Sequence, residues 1–260
     1  MDAISTIKSN YMKELLAKGT REDGRGLMET REITIKAGVI SHAEGSAQVD
    51  IGSTRVLAGI KIDMEEPLKD LPNQGSFAVS SELLPLASAD YESGPPSPES
   101  IELSRVTDRG IRAAECIDLE SLFVEEGKAW SIFVDIYVLN YDGNLFDAAE
   151  LAAMTAIATA KMPKYVDGKV IRDGDQPLKV KNIVASTTFA KIGNNILADP
   201  NGMEESSAAT RITIVTDGKT VRAVQKGMSG GWTPKEIYSL IDASMDKYKD
   251  LKKKIEKQQV

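Results

Sequence analysis

Three consecutive sequences decide the fold of this chain: SPESIELSRVTDRGIRAAECI at 97–117, WSIFVDIYVLNYDGN at 130–144 and DAAELAAMTAIATA at 147–160. Together they predict a helix, a strand pair and a second helix. Ser97 can cap the first helix, and Pro98 suits its first position, where no backbone donor is needed. Four apolar residues are predicted to share the buried face of this helix: Ile101, Val106, Ile111 and Ala114.

The strand sequence is rich in β-branched and aromatic residues, and Asp142-Gly143 near its end has turn chemistry. At the start of the second helix, Asp147 with Glu150 fits a capping box. The many alanines of that helix favour close packing against a sheet. The middle of the chain is therefore predicted to be a deeply buried strand and helix.

The first helix carries a row of arginines, Arg105, Arg109 and Arg112, spaced by four residues and then three. This spacing places the guanidinium groups on one helical face. Guanidinium groups bind phosphates bidentately, so the row is a candidate phosphate-binding surface. The alternative is a set of surface ion pairs with carboxylates of the same helix: Glu102, Asp108 and Glu115.

The composition is that of a soluble globular protein, since 42% of the 260 residues are hydrophobic and 27% are charged. The chain contains no run of about twenty apolar residues, so no membrane-spanning segment is predicted. Its N-terminus mixes charges into a helical pattern and lacks the apolar core of a signal peptide, which predicts a cytoplasmic protein. With a net charge of −7, any contact with nucleic acid is predicted to be a local patch.

Cysteine and histidine each occur once, as Cys116 and His42. One cysteine cannot form an intramolecular disulfide, and one histidine cannot build a histidine-based zinc cluster. We interpret Cys116 as a small buried residue and His42 as a loop residue. No metal site and no cofactor are predicted.

The N-terminal part of the chain predicts one helix followed by strands. Residues 3–18 form an amphipathic pattern with an apolar stripe: Ile4, Ile7, Tyr11, Leu15 and Leu16. This helix either packs on its own domain or reaches a partner. Residues 32–62 alternate in polarity with period two and predict an antiparallel meander. Residues 77–87 predict another strand or a sheet edge.

The C-terminal part is strand-rich and ends in a helix. Asp217-Gly218 lies between two alternating runs and predicts a hairpin, and Thr233 with Glu236 predicts a capping box at the last helix. The lysine-rich end of that helix is interpreted as solvated rather than as an RNA contact. The pattern predicts an α+β protein of two β-rich half-domains with packed helices. Its predicted units are an N-terminal helical extension at 1–19, a first half at 20–165 and a C-terminal half with the terminal helix at 166–260.

Two further motifs are candidates for a functional site. Glu204-Glu205 is a carboxylate pair of the kind that can hold Mg²⁺ or act as acid and base, but the spacing favours a solvated turn. GMSGGW at 227–232 is glycine-rich and precedes a helix. Because it matches neither G-x-x-x-x-G-K-[ST] nor G-x-G-x-x-G, a flexible loop is favoured over a phosphate site.

Five segments together resemble the RNase PH family: REDGRG at 21–26, GSAQVDIGSTRVLAGI at 45–60, IELSRVTDRGIRAA at 101–114, DIYVLNYDGNLFDAAELAAMTAIA at 135–158 and LADPNGMEE at 197–205. The resemblance implies an RNase PH-like fold assembled into a hexameric ring. It also implies phosphorolysis, in which inorganic phosphate attacks the terminal 3′ phosphodiester of RNA and releases a nucleoside diphosphate. Within the family, the similarity is strongest to the non-catalytic ring subunit of the archaeal RNA exosome.

The chain departs from the active members of that family at two places. Active members carry Gly, then Ser or Thr, then a phosphate-binding Arg, whereas this chain has Gly143, Asn144 and Leu145. Active members also carry an acidic residue at the position of Arg211, six residues after Glu205. A guanidinium stays protonated and cannot act as general acid or base near neutral pH. The resemblance therefore implies an inactive paralogue without catalytic residues.

The resemblance also implies partners and a role for the arginine row. The chain would alternate with a catalytic RNase PH-like paralogue in the hexamer, and S1/KH-type RNA-binding cap proteins would bind the ring. Arg109 matches a family arginine, and Arg112 lies one turn further along the helix. We expect Arg105, Arg109 and Arg112 to bind RNA phosphates near the partner's active site. An autonomous phosphorolytic exoribonuclease and a purely architectural subunit remain the alternatives.

Overall fold

The computed structural model describes residues 3–259, and it describes the side chains of residues 10–259. Its helices are α1 (Ala3–Ala17), α2 (Pro98–Ala113), α3 (Leu145–Ala158), α4 (Gly202–Ser207) and α5 (Pro234–Glu256). The first eight strands are β1 (Ile33–Ala37), β2 (Gly45–Ile51), β3 (Thr54–Glu65), β4 (Ser76–Leu83), β5 (Phe123–Glu125), β6 (Lys128–Asn140), β7 (Lys164–Val166) and β8 (Lys169–Ile171). The last four are β9 (Ala185–Ile192), β10 (Asn195–Ala198), β11 (Thr210–Thr216) and β12 (Val221–Gly227).

The larger sheet runs in the order β1-β2-β3-β6-β4, and the short β5 also pairs with β6. The strands β1, β2 and β3 form the predicted antiparallel meander. Along β2, Val49 and Ile51 are buried, as the period-two pattern predicts. The predicted edge is also confirmed, because β4 is the last strand of the sheet and pairs in parallel with β6.

The helix α2 begins as predicted, because the Ser97 side chain accepts a hydrogen bond from the Ser100 backbone N–H. Its buried face differs from the prediction at one position. Ile101 is 48% exposed, and Leu103 is buried instead. Since helical residues advance by roughly 100° each, Ile101 lies almost opposite Leu103.

The capping box predicted for α3 is not formed. Asn144, the residue before the helix, has a left-handed backbone with φ 57° and makes no side-chain cap. The Asp147 carboxylate instead accepts hydrogen bonds from the Asn144 side chain and from the backbone and hydroxyl of Thr188. Asp147 is thus used for a contact with β9, far away in the sequence, rather than for a local cap.

Close packing of α3 is confirmed. The helix packs on β2 and β3 of the larger sheet and on β9 of the smaller one. At Gly45 in β2, a Cβ atom would lie 2.3 Å from the carbonyl oxygen of Ala156, so only glycine allows this approach. Glycine and alanine therefore set the short distance between α3 and the sheet.

The smaller sheet runs in the order β10-β9-β11-β12. The predicted hairpin joins β11 to β12, with Gly218 at φ 82° in the turn. Both hydrogen bonds of the predicted capping box between Thr233 and Glu236 are present at the start of α5. Local signals of this kind predict local structure well because both partners lie within one turn.

The helix α1 packs on its own chain, against α4 and β9. Met12 and Leu16 are buried there, whereas Tyr11 of the predicted stripe is 49% exposed. The side chains of Ile4 and Ile7 lie outside the described ones. Among residues 3–259, no helix is long and apolar enough to cross a membrane.

Candidate nucleic-acid interface

The three arginines of α2 share one exposed face, as the spacing predicts. Arg105, Arg109 and Arg112 line a groove of about 550 Å³ between α2 and the edge strand β4. Phe77 and Val79 of β4 form part of the opposite wall. We call this feature the arginine groove; it combines three cations with an apolar wall.

The arginines differ in how firmly they are held. Arg112 pairs with Asp108 at 2.6 Å, donates to the carbonyl oxygen of Phe77 at 3.1 Å, and stacks on the Phe77 ring with 4.0 Å between the guanidinium carbon and the ring centroid. Arg109 donates to Oε1 of Gln225 at 3.0 Å. Within the described part of the chain, Arg105 makes no hydrogen bond or ion pair. The predicted ion-pair alternative thus applies to Arg112 alone.

A second group of charges lies at the N-terminus of α3. The backbone N–H of Asn144 donates to Oε2 of Glu205 at 2.9 Å. Oε1 of Glu205 is paired at 2.9 Å with Arg211, whose guanidinium carbon lies 4.1 Å from the centroid of the Phe146 ring. A helix N-terminus favours an anion because its first N–H groups have no partner within the helix. Here the anion is a carboxylate of the chain itself.

The interpretation of Glu204-Glu205 as a solvated turn is wrong. Glu204 is fully buried and Glu205 is 8% exposed. Glu204 pairs with Arg21, and the two side chains are completely enclosed. Arg21 lies 183 residues away in the sequence, so the spacing around the glutamates could not reveal the partner.

Asp199 joins the N-terminal segment to α3. Its carboxylate accepts hydrogen bonds from Arg25, from Arg31 and from the side chain of Asn144. Burial disfavours its ionisation, but the hydrogen bond and charge of Arg31 outweigh that effect and hold the pKa of Asp199 below its usual range. In the sequence, REDGRG stands out only as a family signature, and the contact of its Arg25 with Asp199 is not apparent. The sequence signal for this contact was the cluster of arginines in and just after this turn, together with the carboxylates that come later in the chain.

Tyr141 lies beside the Glu205 carboxylate. Its hydroxyl lies 3.5 Å from Oε2 of Glu205. Burial and the nearby Glu205 carboxylate raise the pKa of Tyr141 far above its ordinary value, so the phenol stays neutral. In the described part of the chain, no three His, Cys, Asp or Glu side chains are arranged to hold a metal ion.

Comparison with known proteins identifies the family. Residues 29–163 match domain 1 of the 3′ exoribonuclease family, RNase PH, and residues 182–247 match domain 2. The chain belongs to this family, and its fold is RNase PH-like, as the sequence resemblance implied.

The similar proteins narrow the class further. The chain is 45% identical to the exosome complex component Rrp42 of Thermococcus gammatolerans, over 97% of this chain and 95% of that protein. It is 41% identical to the Rrp42 component of Methanopyrus kandleri, over 99% of each. The chain is thus similar along nearly its whole length to exosome components named Rrp42.

Solved exosome structures contain chains that are similar to this one in both sequence and fold. A chain of the Archaeoglobus fulgidus exosome with RNA bound to the active site has a TM-score of 0.91 and 41% identity, covering 97% of this chain and 99% of that one. A chain of an archaeal exosome core has a TM-score of 0.87 and 38% identity, covering 97% and 98%. Rice Rrp46, at 16% identity and a TM-score of 0.70 over 92% and 100% of the two chains, shares the fold alone.

Proposed function

We propose that this chain is a non-catalytic subunit of an archaeal-type exosome, a hexameric ring that degrades RNA from the 3′ end by phosphorolysis. The chain would alternate with a catalytic RNase PH-like paralogue and would help to bind RNA at the partner's active site. The near full-length similarity to exosome components supports this assignment. Similarity to a chain from an exosome with RNA bound supports a role of this chain in RNA binding.

The contact between Asn144 and Glu205 is the main observation in support of a non-catalytic subunit. The family resemblance assigns phosphate binding to this turn, but here the Asn144 N–H is occupied by the Glu205 carboxylate. A dianionic phosphate would meet a negative carboxylate there. Leu145, which stands where active members have arginine, cannot neutralise that charge. Arg211 cannot replace the missing general acid or base.

The arginine groove supports a role in RNA binding. Two of its guanidinium groups, on Arg105 and Arg109, have no carboxylate partner in the described part of the chain. On a protein with a net charge of −7, such a cluster is the kind of local patch that binds phosphodiesters without reading sequence. The second candidate function is that of a purely architectural subunit. The pairing of Arg112 with Asp108 favours it, but this observation concerns Arg112 only.

The proposal extends to other partners and to location. We propose that S1/KH-type cap proteins bind the ring and feed RNA towards it, and that the complex is cytoplasmic. The cap proteins come from the family resemblance, and the cytoplasmic location is the expectation from the sequence. They are the parts of the proposal that pull-down of the assembled ring and cell fractionation would test.

The experiment is phosphate-dependent release of nucleoside diphosphates from an RNA with a single-stranded 3′ end. The purified chain, the catalytic paralogue and the reconstituted ring are assayed separately. We expect no activity from this chain alone and a gain on mixing. Activity of the stringently purified chain alone would contradict the proposal and establish an autonomous exoribonuclease. A gain on mixing that persists after all three groove arginines are replaced by alanine would leave only the architectural role.

A further inference from the structure

A line of hydrogen bonds leads from the arginine groove into the protein. NH1 of Arg109 donates to Oε1 of Gln225 at 3.0 Å, and Nε2 of Gln225 donates to Oε1 of Glu102 at 3.0 Å. The same Glu102 oxygen accepts from NH2 of Arg211 at 3.2 Å. The line therefore connects Arg109 to the residue that stands where active relatives have an acid.

The chemistry of these side chains allows only one direction of donation. Arginine only donates and an ionised carboxylate only accepts, so the amide of Gln225 must turn its oxygen to Arg109 and its nitrogen to Glu102. Both Glu102 and Arg109 lie on α2, seven residues apart and on the same helical face. Gln225, on β12, thus links Arg109 to Glu102 across two turns of α2.

Arg211 balances the charge of this line. Its side chain is 12% exposed, and it pairs with both Glu102 and Glu205. Without Arg211, the Glu102 carboxylate would be an uncompensated negative charge near the groove and would repel a phosphate. With Arg211 in place, Glu102 can orient Gln225 while adding little repulsion.

Orientation of Arg109 matters because a free arginine side chain loses conformational freedom on binding. The contact with Gln225 occupies NH1 and leaves other N–H groups of the guanidinium for a ligand. We propose that Gln225 and Glu102, anchored by Arg211, are positioning residues that hold Arg109 ready for an RNA phosphate. This inference rests on the proposed RNA-binding function and names how one residue of the groove is prepared for it.

The test measures RNA affinity of the reconstituted ring over a range of salt concentrations, using a mixed-sequence RNA with a single-stranded 3′ end. Gln225→Ala is expected to weaken binding about threefold to tenfold and to leave the salt slope unchanged, because Arg109 is still present. Arg109→Ala is expected to weaken binding and to reduce the slope by about one. In the Arg109→Ala background, Gln225→Ala should have no further effect. Gln176→Ala, on an exposed connector, is the matched control and should bind like the wild type.

A second pair of variants separates position from charge. Glu102→Gln keeps an acceptor oxygen for Gln225 and is expected to retain RNA affinity, whereas Glu102→Ala should lose it about as Gln225→Ala does. Wild-type affinity of Gln225→Ala beside a weakened Arg109→Ala would overturn the positioning role and leave the proposed function intact. An unaffected Arg109→Ala ring would instead overturn the proposed role of this arginine in RNA binding, and the inference with it. Equal losses from Gln225→Ala with and without Arg109 would also overturn the inference.

Discussion

Arg21 and Glu204 form a salt bridge with 2.8 Å between Nε and Oε1, and both side chains are fully enclosed. The pair fastens the segment after α1 to α4. NH1 and NH2 of Arg21 also donate to the carbonyl oxygens of Ala198 and Asp199, so one guanidinium satisfies several buried acceptors. The N-terminal segment is therefore part of the core around the N-terminus of α3.

Removing the cation of this pair is expected to be costly. Arg21→Met would remove both hydrogen bonds from Arg21 to the buried Glu204 carboxylate and leave it with NH2 of Arg25 at 4.0 Å. The free energy of unfolding should fall by about 3–5 kcal/mol. The measurement is chemical denaturation followed by circular dichroism. Arg21→Met combined with Glu204→Leu should be less destabilised than the single variant, because the orphaned charge is gone. Equal stability of the two variants would show that the lost bonds to carbonyl oxygens, rather than the charge, dominate.

Gly143 is predicted to tolerate no side chain. Its φ is +75°, and a Cβ atom would lie 2.4 Å from the carbonyl carbon of Asn201. Gly143→Ala should lower the free energy of unfolding by about 2–5 kcal/mol, from the left-handed backbone and the overpacking together. Gly127, with φ +76° and open space around it, is a matched control for which alanine should cost about 1–2 kcal/mol. Similar losses in the two variants would mean that the turn can move away from α4.

Glu150 should make stability depend on pH. It is fully buried, and neither carboxyl oxygen has a hydrogen-bond partner among the described residues. Burial, with Asp147 and Asp108 nearby, raises its pKa well above the ordinary value. Between the unfolded pKa of about 4.3 and the raised folded pKa, the native state binds more protons than the unfolded state. The contribution of Glu150 to the free energy of unfolding is therefore fully present below the unfolded pKa. It is lost as the pH rises towards the folded pKa, by up to about 1.4 kcal/mol per pH unit.

The check compares the wild type with Glu150→Gln by denaturation at several pH values. The free energy of unfolding of the wild type, relative to the variant, should fall from pH 4.5 towards neutral pH. Glu126→Gln, at an exposed position, should follow the wild type throughout. Parallel pH profiles for the wild type and Glu150→Gln would show that Glu150 finds a compensating partner on ionisation.

The groove arginines are predicted to contribute unequally to RNA binding. Arg105→Ala and Arg109→Ala should each lower affinity in the ring and reduce the salt slope by about one. Arg112→Ala should have a smaller effect on the slope, because Asp108 already compensates that charge. Asp108→Asn should strengthen binding by removing a negative charge from the groove. Filter binding at several salt concentrations measures all four, and identical slopes throughout would contradict an RNA contact at the groove.

The sequence predicted structure well wherever both partners of an interaction lie close together along the chain. The Ser97 cap, the hairpin at Asp217-Gly218 and the capping box of Thr233 with Glu236 are all local, and all are confirmed. The failures have the opposite character. Asp147 reaches Thr188 instead of capping its own helix, because a buried carboxylate takes the donors that the tertiary fold supplies.

The candidate site shows the same division. The shared face of Arg105, Arg109 and Arg112 follows from helical spacing, and the structure places all three in one groove. The partners of those arginines could not be predicted, since Gln225 lies 116 residues from Arg109 in the sequence. The family resemblance located Arg211 as a departure, but only the structure shows that its guanidinium joins Glu102 to Glu205.

The place of α3 between the sheets has a consequence for cooperativity. The helix is buried along nearly all of its length, and it contacts β2 and β3 on one side and β9 on the other. Separating the sheets would expose to water this alanine-rich, apolar helix together with the residues of both sheets that pack in the same core cluster, such as Ala58 and Val215. The two segments that match domain 1 and domain 2 of the family are therefore expected to melt in a single transition, as one thermodynamic unit.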